Sequence, residues 1–209
     1  MTEAEWLACT KPEPMRQYVC DKISERKRLL CVVAWFRCTE SVAWGRSSAE
    51  RYRAQVQPEG PYRSVEVAER AERFRAIQIA ERFAEGLVCD AERDRGGCDW
   101  YLQRVIPILM GGRHKADHPK YIQLLRDIIG NPFRPVTLDA AWRTPQVAAL
   151  AQAAYDQREL PAGTLDGARL AVLADALEEA GCDQADLLGH LRGPGPHVRG
   201  CWAGEGRGG

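Results

Sequence analysis

Apolar residues return every three or four positions along most of this 209-residue chain, the spacing of helices that bury one face. The most legible run is Ser64 to about Val88. There Val67, Ala71, Phe74, Ile77, Ala80, Ala84 and Leu87 share one side, while Glu66 with Arg70 and Glu69 with Arg73 form i,i+4 pairs on the wet sides. A second stripe, Tyr121, Leu124, Leu125, Ile128 and Ile129, follows Pro119, which can open a helix in its first turn. Thr144-Pro145 reads as an N-cap and N1 proline for "PQVAALAQAAYDQ". Asp166 or Thr164 caps "GARLAVLADALEEAG", which Gly181 ends; Asp183 is read as the cap of "QADLLGHLRG", which Gly193 ends. Near the start, "TEAE" (2–5) has the capping-box pattern, and Pro12 to Cys20 forms a short helix interrupted by Pro14.

One stretch fits two periods. Leu29 to Phe36 is apolar all round, which suits a helix buried on several sides or a buried strand rich in Val32, Val33, Trp35 and Phe36. The charged flanks and the lack of a turn signal between Asp21 and Gly45 favour a helix from Ser24 to about Trp44. Loops are expected at 46–63, around Pro58-Glu59-Gly60-Pro61, and at Gly96-Gly97, with Pro107 limiting any helix in "WYLQRVIPILM". The pattern predicts an all-α protein, a compact bundle of short antiparallel helices. "GGRHKADHPK" is the best hinge. If there are two helical subdomains they are 1–110 and 119–203, joined by a hinge or linker at 111–118, with 204–209 a flexible tail.

The stretch "LLRDIIGNPFRPV" (124–136) is specified most tightly. Gly130 can take the left-handed conformation that ends a helix. Asn131 and Arg134 each precede a proline and are driven out of the helical region. Phe133 then has a fixed direction and reads as a buried plug, so the stretch is a corner of the fold. Asp139 can stabilise a turn before the next helix. Gly130, Phe133 and Trp142 are read as structural.

This stretch, with "LADALEEAGC" and "HLRGPGPHVRGCW", resembles a large set of paralogous planctomycete bacterial proteins. The likeness is close over roughly 121–202 and the first thirty residues, and loose between them. It implies a bacterial, multi-copy family and no particular activity. "LAVLADALEEAG" also looks distantly like the repeat-companion domains of the same bacteria. Two departures stand out. Where relatives carry a cysteine-rich "LRLFACACCRR", this chain has "LLCVVAWFRC", so Cys31 and Cys38 inherit no paired role. Relatives follow Cys-Trp with a leucine-rich acidic segment, and here "AGEGRGG" follows Cys201-Trp202, which puts the packing of that end in question.

Composition narrows the function classes. Lys plus Arg and Asp plus Glu are 29 each, so no global field points to nucleic acid or membrane. The basic residues Arg16, Lys22, Arg26, Lys27, Arg28, Arg37, Arg46, Arg51 and Arg53 nevertheless cluster early, with Trp35, Phe36, Trp44 and Tyr52 among them. No signal peptide or membrane-length apolar run is legible, so a cytoplasmic protein with reduced cysteines is expected. Eight cysteines and four histidines raise metal binding, but no close cysteine pair exists. No metal or other cofactor is therefore expected, with His190, His197 and Cys201 the weak candidates. No nucleophile elbow or phosphate loop is present, and no catalytic residue is assigned. Arg134, His190, His197 and Arg199 are candidate anion or partner contacts. The leading expectation is a non-enzymatic protein-interaction module with a protein partner. The alternatives are a nucleic-acid-associated protein using the basic first third and a thiol- or metal-dependent enzyme.

Overall fold

The computed structural model describes residues 1–37, 77–87, 118–160 and 162–204. Their regular elements are all helical, so the protein is all-α; the extended pairing consists of two single bridges, Glu159 with Thr164 and Thr164 with Val198. Helix α1 (Glu3–Ala8) opens on the expected capping box. Thr2 Oγ1 accepts the Glu5 N–H at 3.3 Å and the Glu5 carboxylate accepts the Thr2 N–H at 2.7 Å. Helix α2 (Pro12–Val19) has proline in its first turn and no side-chain cap.

Helix α3 covers 25–37, with Ser24 Oγ accepting the Lys27 N–H at 3.3 Å. The ambiguous stretch 29–36 is thus helical, and Leu30, Val33, Trp35 and Phe36 are buried. Helix α4, described over 77–84, buries Ile77, Ala80 and Ala84 and gives way to a turn before Leu87. The rest of the Ser64–Val88 stripe, the loop at 46–63, the Gly96-Gly97 break and the hinge up to 117 lie outside the described residues.

Helix α5 (His118–Ile129) buries Tyr121, Leu124, Leu125 and Ile128. A 3₁₀ turn (Ala140–Trp142) follows, and Asp139 Oδ1 caps it by accepting the Ala141 N–H at 2.9 Å. Thr144 caps α6 (Pro145–Asp156) and Asp166 caps α7 (Gly167–Glu179). Helix α8 (Ala185–Leu191) differs from expectation. Its N-cap is Gln184, without a side-chain hydrogen bond, because the helix begins one residue too late for Asp183 to cap it.

Two apolar cores result. Helices α1 to α5 build the first around Trp6, Met15, Leu30, Leu124 and Ile128. Helix α7 packs between α6 and α8 to build the second around Leu170, Leu173, Leu187 and Leu191. The segment 195–204 joins them: Val198 belongs to the first core, Cys201 and Ala203 to the second. Arg126 ties α5 to the end of α1, donating to the carbonyls of Trp6, Leu7 and Cys9 at 2.9, 2.7 and 3.2 Å; the Trp6 carbonyl also accepts the Cys9 N–H.

The 124–136 corner is anchored to the first two helices. Asn131 and Arg134 both bond the Glu3 carboxylate, at 2.7 Å each. Phe133 is half-buried and lies stacked on Tyr18, 5.1 Å between centroids with 13° between planes. It is a side chain wedged against α2 and still touched by water, not a fully enclosed plug. Phe133→Ala should therefore cost about 1.5–3 kcal/mol in chemical denaturation, below the ~3–5 kcal/mol of an emptied interior site. A loss above that range would mean that the corner depends on Phe133 more than its contacts account for. Trp142 is half-buried against the second core. No helix of the described residues is long and apolar enough to cross a membrane.

Candidate metal centre

Four side chains meet where the two cores join: Asp127 from α5, His190 from the last turn of α8, and His197 and Cys201 from the segment beyond it. One ligand-type atom from each lies within 4.8 Å of all the others. His197 Nδ1 is 2.9 Å from Asp127 Oδ1, His190 Nε2 is 3.2 Å from the same oxygen, and His190 Nε2 is 3.1 Å from Cys201 Sγ. Asp127, His197 and Cys201 are buried, and the His190 side chain keeps 22% exposure, which leaves one path from solvent.

The backbone around each group fixes its orientation. Asp127 Oδ2 accepts the Val198 N–H at 2.8 Å, which leaves Oδ1 directed into the cluster. His197 Nε2 faces the Gly193 carbonyl at 3.2 Å; a proton there leaves a lone pair on Nδ1. The Ala203 and Gly204 N–H groups bond Cys201, two and three residues on. Trp202 closes the side, its ring 4.8 Å from His190, while its backbone N–H donates to the Asp127 backbone carbonyl at 2.9 Å.

The protonation balance follows from these contacts. Burial alone would raise the Asp127 carboxyl, but bonds from His190, His197 and Val198 outweigh it and hold the group below its ordinary value. Burial would lower His197, yet its bond to Asp127 and the carboxylate's charge win and raise it. Burial, then the Asp127 charge, push the Cys201 thiol well up, opposed by the two N–H groups. Two chemical states satisfy these constraints. One is a buried imidazolium–carboxylate pair beside a neutral thiol. The other is a divalent cation held by one carboxylate, one thiolate and two neutral imidazoles, a set whose formal charges cancel. The raised His197, lowered Asp127 and raised Cys201 belong to the first; the second needs a neutral His197 and a Cys201 thiolate, which a cation seated between the groups would supply.

Cys201 is 1% exposed, its thiol is raised, and His190 approaches both it and Asp127 through the same ring nitrogen, Nε2.

The other expected contacts are placed elsewhere. Arg134 is exposed and pairs with Glu3. Arg199 stacks on Tyr155 and lies beside Glu81 and Glu85. The basic first third also works inside the chain wherever it is described. Arg16 pairs with Glu13, Lys22 covers the Tyr18 ring, Lys27 donates to the Ile128 carbonyl, Arg28 to that of Cys20, Arg26 to that of Ala84, and Arg37 bonds Glu81. Arg46, Arg51, Arg53, Trp44 and Tyr52 lie outside the described residues.

Sequence reasoning passed over Asp127. Its signal was a carboxylate three residues after Leu124 and next to Ile128, on the buried side of the α5 stripe. Compared with known proteins, the chain matches no family model, no curated protein and no solved structure.

Proposed function

We propose that this is a non-enzymatic, metal-stabilised helical interaction module. The ion is divalent zinc, bound by Asp127, His190, His197 and Cys201. The observation that carries the reading is the convergence of four ligand atoms from three separate parts of the chain within 4.8 Å. A tetrahedral ion with bonds of ~2.0–2.3 Å places its ligands about 3.3–3.8 Å apart, so adjustments of about 1 Å seat it. The oxygen, nitrogen and sulfur mixture suits zinc, and four protein ligands close its coordination. A closed site is a structural one. Its work is to fasten α5 and α8 to the 195–204 segment, and recognition is left to the helical surface that this rigidity presents. A thiolate ligand needs a reducing compartment, which fits a cytoplasmic protein. The likeness to a multi-copy bacterial family suits a scaffold reused for varied protein partners. The engaged cations among the described residues of the basic first third weigh against nucleic acid as the partner class.

Protein purified without added metal or chelator should carry about one equivalent of zinc. Replacement by cobalt should give the strong visible bands of a tetrahedral site with a thiolate charge-transfer band. Saturating metal, at ~1,000 times the dissociation constant, adds about 4 kcal/mol, so a chelator should lower the melting midpoint by roughly 8–16 °C. Metal far below one equivalent, together with no cobalt spectrum, would remove the proposal. A pull-down with and without nuclease tests the interaction half separately: partners that survive nuclease support it, and loss on treatment favours nucleic acid.

A further inference from the structure

The ligands of the proposed zinc site are not held equally. Asp127, His197 and Cys201 are buried, and the backbone fixes each of them from behind. Asp127 Oδ2 accepts the Val198 N–H at 2.8 Å, His197 Nε2 faces the Gly193 carbonyl at 3.2 Å, and the Ala203 and Gly204 N–H groups bond Cys201. His190 is the exception. Its Nε2 faces Asp127 Oδ1 at 3.2 Å and Cys201 Sγ at 3.1 Å, while its Nδ1 makes no hydrogen bond among the described residues. Packing alone orients the ring, with the His197 and Trp202 rings each 4.8 Å away between centroids, and the side chain keeps 22% exposure.

A histidine ligand is normally aimed by a bond from its other ring nitrogen. Once an ion is seated, turning His190 outward breaks one metal bond and no hydrogen bond of the protein. Freeing any of the other three also breaks a backbone contact in a buried place. The helix need not move with the ring. The His190 carbonyl accepts the Gly193 N–H at 3.0 Å, which holds the end of α8 while the side chain rotates about its own bonds. Charge points the same way. The carboxylate and the thiolate already cancel a divalent ion, so the departure of a neutral imidazole leaves the balance intact.

We infer that His190 is the gate of this centre: zinc enters and leaves past it, and water completes the coordination by Asp127, His197 and Cys201 while the imidazole is turned away. The inference rests on the zinc reading and deepens it. Coordination is closed when the ion is in place, but it opens at one ligand that solvent reaches. Occupancy then follows the free zinc around the protein, and the junction of the two cores becomes zinc-responsive.

Zinc release from the loaded whole protein to an excess of the chelating dye 4-(2-pyridylazo)resorcinol tests the gate. His190→Ala should still load when zinc is in excess, and should release the ion about tenfold faster or more than the wild type. His197→Ala, which removes a buried and anchored ligand, should fail to load under the same conditions. Free imidazole should enter the space left in His190→Ala and slow its release again. His190→Gln, which keeps most of the side-chain bulk, gives the same comparison if the alanine variant folds poorly. Release from both His190 variants no faster than from the wild type would overturn the gate. So would a failure of both to load that is as complete as that of His197→Ala, and in either case the zinc reading stands. A wild-type protein that takes up no zinc removes both.

Discussion

Asp127→Asn should cost about 3–5 kcal/mol in unfolding free energy and abolish stoichiometric metal binding. The size follows from the hub this carboxylate forms. Oδ1 receives two imidazole nitrogens at 2.9 and 3.2 Å and Oδ2 receives the Val198 N–H at 2.8 Å. Asparagine has the same shape but one amide in place of one oxygen. Set one way, its NH₂ meets the Val198 N–H and two buried donors face each other; set the other way, the NH₂ can donate to the His197 Nδ1 lone pair but can no longer ligate a cation; in both, the negative charge that balances the site is gone. Urea denaturation of the variant, paired with metal analysis of the same sample, reads both quantities. A loss below about 1 kcal/mol would mean that the hub is not a determinant of stability.

Gly130→Ala should cost about 2–5 kcal/mol, the second large effect. Two terms contribute. Gly130 has φ +76, a left-handed conformation that costs an ordinary L-residue about 1–2 kcal/mol. A Cβ there would also stand 3.0 Å from Trp202 Cγ, whose indole packs against His190 at 4.8 Å between ring centroids, which adds an overpacking cost of about 1–3 kcal/mol. Gly181→Ala is the internal control. Its φ is +90 with nothing within 4 Å of the added carbon, so only the conformational cost applies. Because the displaced ring presses on a proposed ligand, the Gly130 variant should hold metal more weakly and the Gly181 variant should not. Equal losses in the two variants would show that the Trp202 contact contributes nothing.

The local structure was legible where the determinants are local. Capping by Thr2, Thr144 and Asp166, the proline start of α6, and the apolar stripe of α5 all depend on residues within four positions of each other, whereas Pro14, expected to interrupt α2, lies inside its unbroken first turn. Asp183 failed as a cap because a one-residue shift in a helix start is not encoded in local spacing, and Gln184 occupies the position with no side-chain bond. The candidate centre was half-legible. His190, His197 and Cys201 fall within twelve residues of each other, close enough to be noticed together. Asp127 lies 70 residues from His197 and reaches it only through tertiary packing. Glu81 escaped notice in the same way, since its arginine partners Arg37, Arg158 and Arg199 lie far from it in the chain. In both cases the clue was a carboxylate on the apolar side of a helix, which is costly unless something distant satisfies it.

The position of 195–204 between the two cores has a consequence for biosynthesis. Val198 completes an interior built from residues as early as Trp6, and Arg126 supplies side-chain donors to the carbonyls at the end of α1. While a ribosome is still adding residues 130 to 190, the first core has its described buried members up to Ile128 but still lacks Val198. The nascent chain is thus expected to stay open to chaperones and proteases until residue 198 is free, and then to condense in one late step. Arrested chains ending before and after that point should differ sharply in protease resistance.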